Sequence, residues 1–291
     1  MRHPCLFFVI KYKGKDNMKS KKLILIFTVL MVLVFTMASV SMILVYSNNK
    51  GKENSPPENT TSKTNQTESQ NTPETEKPLK NKKVAFTFDD GPHETRTIKF
   101  IDELHKYNGA ATFFVVGNRI DINTGKVLKY ALDNGWDIGI HGYTHKVFFD
   151  NCTNDSYNSE LSKTAKEIKK YTNSDTFLLR PPGGRISESR LSACPYSIIL
   201  WDVDSEDWKN KSENEAEKQK NIDKIVENVL SNVSDGDIVL MHDIYENSYE
   251  AFCIIVAELD NQGYEFVSVS ELLGNNMQSG KIYYKAEKAN G

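Results

Sequence analysis

Apolar residues in the second two thirds of the chain fall into short blocks of two kinds. Val84-Ala85-Phe86-Thr87-Phe88, Ala110 to Val116, Trp136 to Ile140, Thr176 to Leu179, Tyr196 to Trp201, Asp237 to Met241 and Tyr264 to Val267 are brief and apolar, as buried strands are. Longer polar-rich segments between them carry apolar residues at helical spacing. Thr97 to Lys106 presents Ile98, Ile101 and Leu104, and Thr124 to Asn134 presents Val127, Leu128, Ala131 and Leu132 before Gly135. Tyr157 to Tyr171 presents Leu161, Ala165 and Ile168, and Ala216 to Ser231 presents Ile222, Ile225, Val226, Val229 and Leu230. A short helix is predicted over Ser187 to Ala193 and another over Tyr249 to Asn261. Short strands alternating with longer helices predict an α/β fold of about seven parallel strands joined by right-handed crossovers.

A different pattern precedes these blocks. Residues 23–46 form one apolar run without a charge, preceded by Lys19, Lys21 and Lys22. At about 1.5 Å per residue such a run reaches the roughly 30 Å of a bilayer core. The lysines predict a cytoplasmic N-terminus and an exported remainder. The expected arrangement is a single-pass transmembrane helix anchoring the protein to the cytoplasmic membrane. Ala38-Ser39-Val40-Ser41 keeps a cleaved signal, and hence secretion, as the alternative. Met18 opens a second plausible start. Residues 47–82 hold almost no apolar side chain and cannot repay their ordering entropy by burial, so they read as a tether. The expected organisation is a tail over 1–22, an anchor over 23–46, a linker over 47–82, a globular domain over 83–274 and a C-terminal tail over 275–291. Ile282-Tyr283-Tyr284 in that tail is apolar enough to pack back as an edge segment.

Charge and cysteines narrow the reading a little. The formal net charge is −3 and the globular part has no basic block, which argues against nucleic acid as a partner. Cys152, Cys194 and Cys253 leave an odd thiol outside the N-terminal tail, and a Cys152–Cys194 disulfide stays open. The chain has no Cys-x-x-Cys, so a thiolate zinc site is not expected. A monomer is expected.

The polar residues at the predicted strand ends carry the chemistry. Asp89-Asp90, His141, Arg180, Asp204 and His242 each lie at or just past the C-terminal end of a strand. In a parallel barrel those ends share one face, so residues far apart in sequence converge. Adjacent carboxylates on extended backbone point in different directions, which suits Asp89 and Asp90 to separate tasks. His141 and His145, with one carboxylate, make a common hydrolytic metal set that leaves room for water. Arg180, before two prolines, can pair with a carboxylate in the cleft. Asp204 and His242 suggest a His–carboxylate pair, with Leu240 beside them able to close a small apolar pocket and Trp201 and Trp208 offering ring faces.

Taken together, Thr87-Phe88-Asp89-Asp90-Gly91-Pro92, His141-Gly142-Tyr143-Thr144-His145, Arg180-Pro181-Pro182, Asp204-Ser205-Glu206-Asp207-Trp208 and Leu240-Met241-His242 resemble the motifs of the polysaccharide deacetylase family, carbohydrate esterase family 4 with a NodB-type homology domain. The likeness runs from about Lys83 to Leu273. It implies a distorted (β/α) barrel. It also implies that Asp89 is the catalytic base, that Asp90, His141 and His145 are metal ligands, and that Arg180 holds the base. His242, oriented by Asp204, would be the acid, and Gly183, Trp208 and Leu240 would contact substrate. The implied cofactor is one divalent metal ion, Zn2+, with Co2+, Ni2+ or Mn2+ as alternatives. The implied partner is an acetylated cell-wall glycan. The activity it implies is N-deacetylation of peptidoglycan N-acetylglucosamine. N-acetylmuramic acid, chitin oligomers, poly-N-acetylglucosamine and O-acetylated xylan remain alternatives. Two positions depart from the pattern. Gly142 stands where a Ser or Thr is usual, with Thr144 a candidate substitute, and Gly183 stands where an aromatic residue is frequent.

Overall fold

The computed structural model describes residues 79–286, apart from 213, 275 and 276. Its strands are β1 (Lys82–Asp89), β2 (Thr112–Val115), β3 (Asp137–Ile140), β4 (Leu178–Leu179), β5 (Ser197–Ile199), β6 (Val203–Asp204), β7 (Ile238–His242), β8 (Tyr264–Phe266) and β9 (Ile282–Tyr283). They form one nine-stranded sheet in the order β6-β7-β1-β2-β3-β4-β5-β9, with β8 paired to the start of β1. Every ladder is parallel. The expected strand count of about seven falls short because β6 and β9 are two residues each, too short to show a period.

Helices α1 (Thr97–His105), α2 (Ile122–Asp133), α3 (Asn154–Thr172), α4 (Glu188–Leu191), α5 (Glu215–Leu230), α6 (Glu246–Asn261) and α7 (Val269–Leu273) complete the fold. Local chemistry marks several of their starts. Asp121 forms a capping box with Thr124 at α2, and Thr153 and Asn214 accept from the first turns of α3 and α5.

Two features of the expected architecture are corrected. The first is the distorted barrel. The sheet curls into a half-barrel whose terminal strands share no ladder. At the C-terminal end of β5 the carbonyls of Ile199 and Leu200 accept from the Arg180 side chain, each at 2.9 Å. The opening is spanned at its base by an isolated bridge between Asp237 and Lys285 and by the Ala286 N–H on the Gly236 carbonyl at 2.8 Å.

The second is the membrane helix. Among the described residues no helix is long and apolar enough to cross a membrane. Residues 23–46 lie outside those described, as do residues 1–22 and most of the proposed linker. The expected spanning helix, single-pass topology and membrane partner are thus not supported by the described residues.

Both faces of the sheet are covered. On β1, Val84, Phe86 and Phe88 face an aromatic core under the helices, where Phe88 meets Phe100 at 4.6 Å, Phe252 at 5.2 Å and Phe113 at 5.5 Å between ring centroids. The alternate residues Ala85, Thr87 and Asp89 face the concave side. Ala85 packs there with Phe114, Leu178, Ile199, Ile238 and Val269, so α7 plugs the lower half of the bowl. The upper half is left to polar side chains. Cys152, Cys194 and Cys253 are all free, so no Cys152–Cys194 disulfide forms.

Candidate active site

The strand register decides which polar residues meet. Asp89 is level with His242 on β7 and with Phe114 on β2. Ile140 is level with Leu179, which brings His141 and Arg180 side by side. Asp204 is level with Leu240. All of these lie at the C-terminal edge of the sheet, as expected of a parallel fold. They line a cleft of about 420 Å³ whose wall includes Asp89, Asp90, His141, His145, Gly183, Trp201, Asp204, Trp208, Leu240 and His242.

Asp89 and Asp90 diverge because the chain turns between them. Asp89 ends β1 on the concave side and is buried. Its Oδ1 accepts from Arg180 Nη1 at 2.9 Å. The guanidinium is fully buried between the rings of Phe114 and Trp201, 4.4 and 5.4 Å from their centroids. It also donates to Thr87 Oγ1 at 2.7 Å. Burial opposes a charge on Asp89, but Arg180, helped by His141 and His242, outweighs it and holds the carboxyl below the usual carboxylate range.

Asp90 takes φ +72°, in the left-handed region that non-glycine residues seldom adopt. The turn carries its carboxylate away from Arg180 and toward two imidazoles. Its Oδ1 lies 3.2 Å from His145 Nε2 and 3.6 Å from His141 Nε2. That oxygen is buried with no hydrogen-bond partner. His141 Nδ1 donates to the Arg180 carbonyl at 2.8 Å, which leaves its Nε2 lone pair pointing at Asp90. Burial, working against Asp89 and Asp90, pushes His141 below its ordinary pKa and keeps it neutral. Three lone-pair donors within 4.8 Å of one another, one of them an orphaned buried oxygen, fit one divalent ion such as Zn2+. Asp90, His141 and His145 are the one such group among the described residues.

The loop that presents His145 is irregular. Gly142 takes φ +78° and His145 φ +59°. A Cβ on Gly142 would meet Glu160 Oε2 at 3.1 Å and Pro182 Cγ at 3.3 Å. Glu160 on α3 is the brace. Its carboxylate accepts from the N–H groups of Tyr143 (2.6 Å) and Thr144 (2.8 Å) and from the Thr144 hydroxyl (2.9 Å). The Thr144 hydroxyl thus supports the loop through Glu160, a partner the sequence reading did not name.

His242 faces Asp89 from β7, and here the expected pairing is corrected. Its partner is Asp207, not Asp204. His242 Nδ1 lies 2.7 Å from Asp207 Oδ1, and the His242 N–H donates to Oδ2 at 2.7 Å. Ser248 also donates to that oxygen at 2.6 Å. Asp207 is fully buried. Asp204 instead accepts from the Glu206 N–H at 2.8 Å and stays on the cleft wall. Burial resists the charge on His242, but Asp207 prevails and raises its pKa to about 9. Leu240 is buried beside the cleft, Gly183 takes φ +61° on its opposite wall, and Trp208 stands at the rim, 44 % exposed.

Three further residues escaped the sequence reading. Tyr245 lines the cleft next to His242, their rings 5.8 Å apart. Lys211 completes the same wall. Asp243 lies buried against the turn that carries Asp90, where a Cβ on Gly91 would run into its carboxylate. Burial raises the Asp243 carboxyl to about 7. The adjacent His242 drew attention to itself; these three had no motif to single them out.

With the geometry in place, comparison with known proteins is informative. Residues 76–195 match the family model described as polysaccharide deacetylase. The chain is 36% identical over 212 residues to the peptidoglycan-N-acetylglucosamine deacetylase PgdA of Listeria monocytogenes, covering 73% of this chain and 43% of that protein. It therefore spans less than half the length of that relative. A peptidoglycan-N-acetylglucosamine deacetylase of Bacillus cereus is 34% identical over 206 residues, covering 68% of this chain and 91% of the relative. Among solved structures, the peptidoglycan deacetylase PdaC from Bacillus subtilis superposes with a TM-score of 0.59 at 36% identity, covering 66% of this chain and 89% of the other.

Proposed function

Because the chain belongs to the polysaccharide deacetylase family, we propose that it is a metal-dependent hydrolase that removes the N-acetyl group from N-acetylglucosamine in peptidoglycan. One observation carries the reading: a buried Asp89 paired with Arg180 and a His242 paired with Asp207 sit level on neighbouring strands, beside three side chains able to hold a metal ion. Amide hydrolysis needs those two groups in opposite protonation states at neutral pH.

Asp90, His141 and His145 would hold the divalent ion, which when bound supplies Lewis acidity to the acetyl carbonyl and lowers the pKa of a water. Arg180 keeps Asp89 ionised and fixes its direction. Asp89 takes a proton from water as the new C–O bond forms. The Gly183 N–H stands as a donor for the developing oxyanion. His242 gives its proton to the sugar nitrogen as the C–N bond breaks, and Asp207 stabilises the charge on the ring until then. Leu240 offers an apolar contact for the acetyl methyl, and Trp208 a ring face for the sugar. Asp204 borders the same space without touching His242. The products are acetate and a free amine on the glycan. The domain doing this is proposed to span residues 83–274.

The raised pKa of His242 favours an amide substrate over an ester. An amine is a poor leaving group unless protonated, whereas an alkoxide needs less help. Acetate release from peptidoglycan, chitin oligomers and acetylated xylan tests the reading. Release mainly from peptidoglycan supports it; release from xylan alone, or from none of the three, overturns it.

A further inference from the structure

The floor of the cleft is acidic, with Asp89, Asp90 and Asp204 on its wall. Against them, Lys211 is the one lysine or arginine side chain lining the cleft among the described residues. Its Nζ sits 5.4 Å from the centroid of the Tyr245 ring, and that ring is 5.8 Å from His242. Among the described residues Lys211 has no ion-pair partner, while nearby Lys209 pairs with Glu206 and Lys218 with Glu250.

We propose that Lys211, seated on Tyr245, is a carboxylate subsite that reads an acidic substituent on the sugar next to the one that loses its acetyl group. The inference rests on the deacetylase reading and deepens it. A neutral glycan makes no use of an unpaired cation on the cleft wall, whereas a glycan whose neighbouring sugar carries a lactyl carboxylate gains an ion-pair partner there. An ammonium held over an aromatic face at the rim keeps its charge and reaches outward. The subsite therefore selects muramic acid-containing glycans over chitin-like ones and binds them without taking part in bond breaking.

The test uses the metal-loaded full chain and two peptide-free tetrasaccharides of alternating N-acetylglucosamine and N-acetylmuramic acid, one with free lactyl carboxylates and one with their methyl esters. The readout is the ratio of kcat/KM for acid over ester. In the wild-type protein it should be about three- to tenfold, carried by KM, and should shrink as salt rises, as for an exposed ion pair. Lys211→Met should bring the ratio close to one, and Lys211→Arg should restore it. A ratio that is the same in wild type and Lys211→Met overturns the subsite and leaves the deacetylase reading standing. Absence of turnover of both tetrasaccharides by the wild-type protein overturns the two together.

Discussion

Asp89 and Asp90 are neighbours in the chain with opposite surroundings. One is bonded to a buried guanidinium, the other turned by a positive φ toward two imidazoles. The proposed roles separate cleanly on substitution. Asp89→Asn should keep the metal and lose about 10²–10⁴-fold in kcat, because an amide cannot accept the proton. Metal content and single-turnover rate, measured on one preparation, decide it; a near-normal rate would remove Asp89 from the role of base. The pairing of His242 with Asp207 is testable by pH. His242 acts as an acid only while protonated, and its pKa is about 9, so kcat/KM should be flat through neutrality and fall above about 9. Asp207→Asn removes the charge that opposes burial, so the His242 pKa drops and the falling limb moves to lower pH. A limb that does not move would show that the descending side of the profile belongs to another group.

At this scale the sequence was only partly legible. Asp204 and Asp207 both belong to the Asp-x-x-Asp-Trp motif, and spacing alone does not say which reaches His242. β6 ends at Asp204, and Glu206 takes φ +56°, so the alternation of a strand does not carry through to Asp207. Burial of Asp207, invisible in the sequence, decides the matter.

Among the elements, α3 does more than cover the sheet. Its apolar face was read from Leu161, Ala165 and Ile168, which left Glu160 looking like one more solvated residue of a charged helix. Glu160 and Thr164, one turn apart, are buried instead. The Glu160 carboxylate spends its acceptors on the His141–His145 loop, so the helix sets the position of a metal ligand it does not itself contain. Glu160→Gln removes the charge from these bonds while keeping the shape. Metal affinity should fall by about 10–100-fold, as for other groups that orient ligands from behind. Competition with a chelating dye measures it, and unchanged affinity would reduce Glu160 to packing. The longer strands and helices were legible because each has enough residues to show a period. β6 was missed, since two residues show no period, while β4 and β9 were anticipated as parts of the runs Thr176 to Leu179 and Ile282 to Tyr284. The pairing of these short strands comes from tertiary contact.

For the whole molecule, the ligand set links metal to stability. An ion that binds the folded chain and not the unfolded one stabilises it by about 2.7 kcal/mol at 100 times its Kd. For a domain of this size that is about 5–10 °C in Tm. Elemental analysis should find close to one equivalent of metal, and a chelator should lower Tm by that order. Less than about half an equivalent, with Tm and activity indifferent to chelator, would reject the metal centre.

The ladder between β1 and β7 joins residues more than 150 positions apart, as the Thr87 hydroxyl on the Val239 carbonyl illustrates. During synthesis, then, the chain delivers its working parts in two instalments. Asp90, His141 and His145 emerge early, from neighbouring turns of β1 to β3, and can gather around an ion once Glu160 and the Arg180 carbonyl have followed to orient them. The proton-handling partners arrive later: Arg180 first, then Asp207 and His242, the last on the strand that closes the second side of β1. Loops of that length close slowly. A nascent chain would thus be able to hold its ion well before it could turn over a substrate, and catalytic competence would be the final property the molecule acquires.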